Sequence, residues 1–246
     1  MASLTSVPHA VCMPQARVGI YMALTHLIEP GQKVILSPYT ISEVVNMVIC
    51  AGGRPVFCDI ERRTCNIDLS AAADLIDDDT GAALVTHLHG LGLELEEFRA
   101  TCRARGVALI EDAAQAFGTR VQGQSVGTFG DAGVFSFGMY KSLTSFVGGM
   151  VVTKDGDLAR RLHQSTSNLA PQEASVQLKK VAHGLATDVV TYPPLFKLIT
   201  FPIFRLAFLL NIELLNKHVR FDHDPVQRQE IPPEYLRRLT PLQARL

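Results

Sequence analysis

The sequence has 246 residues, which is enough for one large core or for one domain with part of a second. Hydrophobic residues make up 47% of it and charged residues 19%, a composition typical of globular proteins. A formal net charge of -1 provides no positive field for a polyanion, so no nucleic-acid partner is predicted.

Helix-length amphipathic segments alternate with short apolar runs from about residue 15 to 155, which predicts a βα repeat around a largely parallel sheet. Gly52 and Gly53 are expected to end the second helix with a left-handed cap, and Ser70 is expected to cap the start of the third. Helices are predicted over 15–28, 42–52, 69–77 and 95–106, and strands over 33–38, 54–60, 81–89, 107–114, 130–138 and 148–155.

The pattern changes after residue 154. A further helix is predicted over 157–169, and a polar stretch then leads to the apolar segment 192–217. Lys197 and Arg205 interrupt this segment and Pro202 would kink it, so a membrane span is not predicted. We expect a buried or interface helix pair, with peripheral contact between 192–217 and a membrane as the open alternative.

The five cysteines are odd in number and form no CxxC pair. They are expected to be reduced and mostly packed, as in a cytosolic protein. The N-terminal residues lack a basic region followed by an apolar run, so no signal peptide is predicted. The expected location is therefore the cytoplasm, with membrane association as an open possibility.

The segment from Glu111 to Lys141 carries the functional prediction. Asp112 lies at the carboxyl end of a buried strand, where ligands of open α/β sheets bind. Ser136 ends another apolar strand, and Lys141 lies in the loop after it. Pyridoxal-phosphate (PLP) chemistry needs an amine that condenses with an aldehyde and a carboxylate that keeps a pyridine nitrogen protonated. Opposite charges about 4 Å apart gain roughly 4 kcal/mol at an effective dielectric of about 20, enough to hold that proton at neutral pH.

Two histidines, His87 and His89, lie near the expected site. If they were both on the predicted strand 81–89, they would share one of its faces. No metal site is predicted, because no third ligand is visible in the sequence. A position near the cofactor or in the core is expected for each of them.

Successive segments of the chain resemble, in order and spacing, the signatures of the DegT/StrS-type sugar aminotransferases, which are PLP enzymes of fold type I. The segments are SPYT, AGGRPVFCDIERRTCNID, VTHLHG, ALIEDAAQAFGT, VGTFGDAGVFSFGMYKSL and GGMVVT. The resemblance implies a three-layer α/β/α large domain with a mainly parallel central sheet over residues 1–165. Residues 166–246 are then the apolar helical segment and the start of the connection to a C-terminal small domain, which is expected to be largely missing.

The resemblance also implies roles for single residues. Asp112 matches the partner of the pyridine nitrogen, and Gln115 matches the residue that contacts the ring hydroxyl of PLP. Ser136 matches a phosphate ligand, and Lys141 matches the Schiff-base lysine. Lys141 favours transamination, because relatives that run dehydration chemistry have His at this position.

The start of helix 15–28 departs from the family pattern. Arg17 stands where many relatives have a phosphate-binding Thr, and it is predicted to grip the phosphate at the helix N-terminus. A surface arginine is the open alternative. Val18 is predicted to offer its backbone N–H to the same phosphate.

The implied function is transfer of an amino group from glutamate to a keto sugar, nucleotide-linked, for polysaccharide, cell-surface or antibiotic sugar biosynthesis. Two alternatives stay open: another fold-type-I PLP enzyme, such as a lyase or dehydratase, and a truncated cofactor-binding remnant without turnover. A homodimer is expected, because family sites lie at a dimer interface and the apolar segment 192–217 needs a cover.

Overall fold

The computed structural model describes residues 5–139, 141–145, 147–212 and 226–240. The chain divides into two compact units. The first comprises Met1–Gln172 with Gln227–Leu246, and the second is Glu173–Val226. The predicted domain boundary at residue 165 stays a prediction.

A seven-stranded sheet forms the centre of the first unit, within the described residues. Its strands are β1 (His9–Met13), β2 (Lys33–Leu36), β3 (Arg54–Phe57), β4 (Thr80–Thr86), β5 (Ala108–Asp112), β8 (Ala132–Ser136) and β9 (Gly149–Thr153), in the order β1-β9-β8-β5-β4-β2-β3. Two further pairs of short strands form separate two-stranded sheets: β6 (Arg120–Val121) with β7 (Gln124–Ser125), and β10 (Ala170–Pro171) with β11 (Arg237–Arg238). Strands β3, β2, β4, β5 and β8 run parallel, whereas β9 is antiparallel to β8 and β1 is antiparallel to β9.

Helices cover both faces of this sheet. They are α1 (Ala16–Leu27), α2 (Ser42–Cys50), α3 (Leu69–Asp74), α4 (Glu96–Ala104) and α5 (Gly156–Ser167). Residues of α1, α2 and α5 form one buried cluster with the sheet, while residues of α3 and α4 join a second one. Successive residues of β4 alternate between the two clusters, because side chains along a strand point to opposite faces. The predicted three-layer arrangement with a mainly parallel sheet is confirmed.

Several local predictions need correction. Asp68, not Ser70, caps α3: its carboxylate accepts hydrogen bonds from the N–H groups of Ser70 and Ala71 at 2.9 and 3.1 Å. Strand β1 was not predicted, because its partner β9 lies far away in the sequence. Gly52 has the expected left-handed conformation, with φ at +85°, whereas Gly53 does not have a positive φ.

The prediction that the cysteines are mostly packed holds only in part. Cys58 and Cys102 are buried in the first unit, Cys50 and Cys65 are half-buried, and Cys12 is exposed. Burial raises the pKa of the Cys58 and Cys102 thiols to about 11. At neutral pH both therefore remain protonated, which suits a packing role rather than a reactive one.

The second unit is helical in its described part. It contains α6 (Ala174–Thr191), α7 (Pro193–Leu195), a π-helical turn over Phe196–Thr200 and α8 (Phe201–Leu209). Helix α6 was not predicted.

A buried or interface helix pair is predicted for 192–217, whose described residues run to 212. Most of its large apolar side chains are exposed within their own unit, and an interface stays a prediction. Leu198 is 74% exposed and Leu209 is 67% exposed. The described residues of the second unit therefore leave these side chains uncovered. Residues 213–217 lie outside the described part.

Among the described helices, no single one is long and apolar enough to cross a membrane. The two segments Leu178–Thr191 and Pro193–Leu209 satisfy that test only when they are taken together. They are bent by 63° at the break between them.

Candidate active site

Polar residues collect at one edge of the sheet, where the parallel strands have their carboxyl ends. Asp112 is the last residue of β5, Ser136 is the last of β8, and His87 directly follows β4. Strand β3 lies on one side of β2 while β4 and β5 lie on the other, so the chain leaves β2 and β4 in opposite directions. Such a reversal opens a crevice in which ligands of α/β sheets bind.

Asp112 is a buried acid at this edge, only 6% exposed. Its Oδ1 accepts a hydrogen bond from the N–H of Ala114 at 3.0 Å. Burial raises the pKa of the Asp112 carboxyl group, while the Ala114 hydrogen bond and the positive charge of Lys141 oppose that shift. The acid therefore gains from any cation that shares its surroundings.

Lys141 lies at the end of a tight turn close to Ser136. Its N–H donates to the carbonyl oxygen of Gly138 at 3.1 Å, which closes the turn. A Cβ placed on Gly138 would be 3.6 Å from Ser136 Oγ and 4.0 Å from Lys141 Cγ. The serine hydroxyl and the lysine stem thus flank Gly138, and the lysine charge acts on Asp112. The structure brings these three predicted site residues together.

The neighbouring acid, Glu111, has a different environment that the sequence analysis missed. It is fully buried, and among the described residues its carboxylate accepts four hydrogen bonds. Three come from backbone N–H groups of Gly127, Phe129 and Gly130 at 2.7 Å, and one from His87 Nε2 at 2.9 Å. Glu111 therefore fixes the loop that leads into β8. An acid inside an apolar strand was the available signal.

His87 is a structural residue with a defined tautomer. Its Nδ1 accepts a hydrogen bond from the N–H of Leu93 at 3.1 Å, so the proton lies on Nε2 and is donated to Glu111. The expectation that His87 and His89 share a strand face is wrong, because β4 already ends at Thr86. His87 is fully buried, whereas His89 is exposed and has φ at +57°.

Gln115 is tied to the segment that carries His89. Its Oε1 accepts a hydrogen bond from the His89 N–H at 3.0 Å, which leaves the amide NH₂ group as a donor for other contacts. The ring of Tyr39 lies 6.1 Å from the His89 ring, in a tilted arrangement. Tyr39, His89 and Gln115 are all exposed, so these side chains line the open side of the crevice.

The N-terminus of α1 reaches the same corner of the sheet as Ser136. Gly149 pairs with Ser136 across β8 and β9, and a Cβ on Gly149 would lie 2.5 Å from the backbone nitrogen of Ala16. Only glycine allows this close approach. In the described structure the Gln15 side chain makes no capping hydrogen bond, so the first N–H groups of α1, including that of Val18, can receive an anion.

Arg17 is turned toward Glu43 and Tyr235. Its Nη1 lies 3.4 Å from Glu43 Oε2 and 3.4 Å from the Tyr235 hydroxyl, and its guanidinium carbon lies 5.3 Å from the Tyr235 ring centroid. Glu43 also pairs with Arg228 at 3.4 Å, so two cations share one carboxylate. The cluster therefore keeps one net positive charge beside the helix N-terminus. Contact of Arg17 with a phosphate would require it to leave Glu43.

The model of the DegT/DnrJ/EryC1/StrS aminotransferase family matches residues 1–184. The chain is 36% identical over 153 residues to the GDP-perosamine synthase of Vibrio cholerae, which covers 62% of this chain and 42% of that protein. It is 37% identical over 164 residues to an aminotransferase of Acidithiobacillus ferrooxidans that is named for UDP-N-acetyl-3-dehydro-alpha-D-glucosamine. That match covers 66% of this chain and 44% of the relative.

Among solved structures, the chain is similar to PseC of Helicobacter pylori, an aminotransferase involved in the biosynthesis of pseudoaminic acid. The TM-score is 0.65 at 27% identity, over 70% of this chain and 47% of that one. The chain thus spans less than half the length of each of these relatives.

Proposed function

The chain belongs to the DegT/DnrJ/EryC1/StrS aminotransferase family, and from this premise we propose that it forms the cofactor-binding part of a PLP-dependent aminotransferase. The enzyme transfers an amino group from glutamate to a keto group on a nucleotide-linked sugar. The predicted type I fold is confirmed by the mainly parallel sheet and by the likeness to a solved aminotransferase. The activities for which these relatives are named support transamination rather than the lyase or dehydratase alternative.

The residues at the sheet edge suit PLP. The cofactor carries a pyridine nitrogen, an aldehyde, a ring hydroxyl and a phosphate, and the edge offers a buried acid, an amine, an amide and a helix N-terminus. The helix N-terminus approaches Ser136 only because Gly149 has no side chain, which makes a site of backbone N–H groups beside a hydroxyl. Asp112, Lys141, Gln115 and Ser136, with the N–H of Val18, would hold the cofactor.

Asp112 would hold a proton at the pyridine nitrogen. Because burial disfavours its lone negative charge, the carboxylate is best stabilised when a positively charged group faces it. At an effective dielectric of about 20 such a pair gains on the order of 4 kcal/mol at contact distance. When bound, the cofactor supplies an aldehyde that holds the amino group and a ring that withdraws electrons from the adjacent carbon.

Lys141 would act as both anchor and proton carrier. Its amine would hold the cofactor through the aldehyde, with loss of water, and its Nζ would accept a proton from the substrate and return it. The turn from Gly138 holds its backbone, while the flexible side chain lets Nζ move. Arg17 would add its charge to the phosphate site after exchanging its contact with Glu43.

One observation carries the proposal: β5 pairs with β8 through Asp112 and Val134, so the buried acid at the end of β5 lies beside the strand end from which the loop with Lys141 starts. The sugar acceptor is supported by relatives that are named for GDP-linked and UDP-linked sugars. The homodimer belongs to the same proposal. Contact of 192–217 with a membrane is independent of the cofactor site and of the proposed transamination.

Borohydride trapping tests the cofactor site. The chain is saturated with PLP, reduced and digested, and the peptides are weighed by mass spectrometry. We expect the added mass on Lys141, and no trapping in Lys141→Ala. Lys154→Ala is the matched control, since Lys154 follows the antiparallel strand β9 at the opposite edge of the sheet. Trapping on another lysine, or none in the wild type, would contradict the proposal.

Release of 2-oxoglutarate from glutamate by the PLP-loaded chain tests the transamination. We expect release that depends on Lys141 and is unchanged in Lys154→Ala. PLP trapped on Lys141 without any release of 2-oxoglutarate would favour the alternative of a cofactor-binding unit without turnover.

A further inference from the structure

The helical segment, here residues 174–212, has its apolar residues on the outside. Among the described side chains, the fully buried positions are small or polar: Gly184 is buried, Thr200 is 8% exposed and Ala207 is 2% exposed, while Val176, Val181, Leu195 and Phe204 are half-buried. Large apolar side chains are open along the whole segment: Leu178, Leu185, Val189, Val190, Tyr192, Phe196, Leu198, Ile199, Phe201, Ile203, Leu206, Phe208, Leu209, Leu210 and Ile212 are each at least 41% exposed.

Helix α8 shows this most clearly. Its shielded side carries Ala207, about two turns after Thr200, with Phe204 only partly exposed between them. The rest of its circumference is apolar and exposed, apart from Arg205. A helix that is apolar on nearly every side belongs in a protein core or in a membrane, and the described residues of its own unit provide no such core.

The inverted arrangement favours lipid as the cover. In water, a pair of helices gains stability by turning Leu, Ile and Phe inward, at about 25 cal/mol per Å² of buried apolar surface. In hydrocarbon that gain vanishes, so membrane helices turn Gly, Ala and Thr toward one another and large side chains toward lipid. The distribution over Gly184, Thr200 and Ala207 follows the second rule.

The charges of the segment point to an anionic surface. It holds four cations, Lys179, Lys180, Lys197 and Arg205, and a single acid, Asp188, whereas the whole chain has a net charge of -1. Long cationic side chains can lie along apolar surface and place their charges among lipid headgroups. A second copy of the same segment would instead bring like charges together, which is unfavourable.

The backbone of the break also suits a water-poor environment. Helix α6 ends at Thr191, before Pro193 and Pro194. The hydroxyl of Thr200 donates to the carbonyl oxygen of Val190 at 2.9 Å, which satisfies a carbonyl that the break would leave open. Hydrocarbon tolerates a helix break only where such groups are satisfied. The 63° bend fits a segment that enters and turns, rather than a straight span.

We propose that residues 178–209 insert into one leaflet of a bilayer with anionic lipids and thereby tether the chain to a membrane. The cations would lie at the headgroups and the exposed apolar side chains in the acyl region.

The chain has no Trp, which allows a site-specific fluorescence test. In Leu198→Trp, the single indole replaces a side chain that is 74% exposed in the helical segment, and in Phe57→Trp it replaces one that is 52% exposed on β3. Each full-length variant is mixed with vesicles of phosphatidylcholine, with or without phosphatidylglycerol. We expect the emission of Leu198→Trp to shift to shorter wavelength and to be quenched by brominated lipid, more with phosphatidylglycerol, while Phe57→Trp stays unchanged.

Flotation with the same vesicles measures binding without a probe. Leu198→Glu is expected to lower the partition coefficient about tenfold or more, since one buried leucine is lost, whereas Phe57→Glu leaves it unchanged. Absence of binding by the wild-type chain would overturn the proposal. So would a shift in Leu198→Trp that needs no vesicles and follows dimer formation in sedimentation, because a second copy would then cover the surface.

Discussion

The two units of this chain use the same kind of side chain in opposite ways. In the sheet unit Leu84 is 1% exposed, packed between helices and neighbouring strands. In the helical segment Leu198 is 74% exposed. Both are leucines in regular secondary structure, so composition alone does not decide their burial. The sheet unit supplies two layers of helix to cover its strands, whereas the described residues of the helical unit leave the Leu198 side chain uncovered.

The largest effect is expected from breaking the buried network of the sheet unit. Glu111→Ala removes the acceptor of three backbone N–H groups and of His87, and should lower the free energy of unfolding by about 3 to 5 kcal/mol. Urea denaturation followed by far-UV circular dichroism measures this. Exposed Glu94→Ala is the control, expected within about 0.5 kcal/mol of wild type. An unchanged midpoint for Glu111→Ala would refute the role of that carboxylate.

The same substitution at one leucine in each unit tests the difference in burial between the two units. Leu84→Ala should lower the free energy of unfolding by about 2 to 5 kcal/mol, because it leaves a cavity in the core. Leu198→Ala should change it by no more than about 0.5 kcal/mol in vesicle-free buffer, because that side chain is already open to water. A large loss in Leu198→Ala would mean that protein covers the segment.

Asp112 is the exception within the sheet unit, since its burial is unfavourable until a cation binds. Its folded-state pKa is raised, so its contribution to stability is present at low pH and is lost as pH rises through that pKa. Asp112→Asn should therefore stabilise the PLP-free protein, and the gain should grow with rising pH. The same variant should bind PLP about ten- to a hundredfold more weakly, because a charge-assisted hydrogen bond is lost.

Melting temperatures across a pH series and PLP titrations measure both effects for Asp112→Asn. Exposed Asp74→Asn should show neither of them. A melting temperature for Asp112→Asn that falls relative to wild type as pH rises would contradict the assigned cause, which is burial of the charge.

A smaller effect is expected from the ion pair between Arg17 and Glu43. In the sheet unit this acid holds the cation, whereas the helical segment has four cations and a single acid. Glu43→Gln should free Arg17 and raise the affinity for inorganic phosphate about two- to fivefold, in line with the energy of a partly exposed ion pair. Calorimetric titration measures the change, with Glu61→Gln as the control for a pair remote from α1. An unchanged phosphate affinity in Arg17→Gln would show that Arg17 is only a surface residue.

Most of the sheet unit was predictable because its patterns are local. Helix α1, predicted over 15–28 and observed as Ala16–Leu27, shows an apolar stripe that is visible in the sequence. Strand β4 is a continuous apolar run that suits burial on both faces. The cap of α3 was misassigned by two residues, because Asp68 and Ser70 are both good capping residues and only the backbone conformation separates them.

The site residues were predicted only in part. The residue types at Asp112, Ser136 and Lys141 indicated the chemistry, but their proximity follows from the order of β5 and β8 in the sheet. Glu111 and Arg17 show what sequence reasoning lacked. The partners of Glu111 lie in a loop more than a dozen residues away, and the partner Tyr235 of Arg17 lies 218 residues away.

The sequence by itself determined the alternation of helices and strands and the kind of chemistry, since periodicity and residue type act over a few residues. The tertiary structure was needed to establish that Glu111 anchors a loop through four hydrogen bonds, whereas the adjacent Asp112 lies at the strand end beside β8. It also decided that the apolar helices lie open, because burial depends on which layers the rest of the chain can supply and not on the hydrophobicity of a segment.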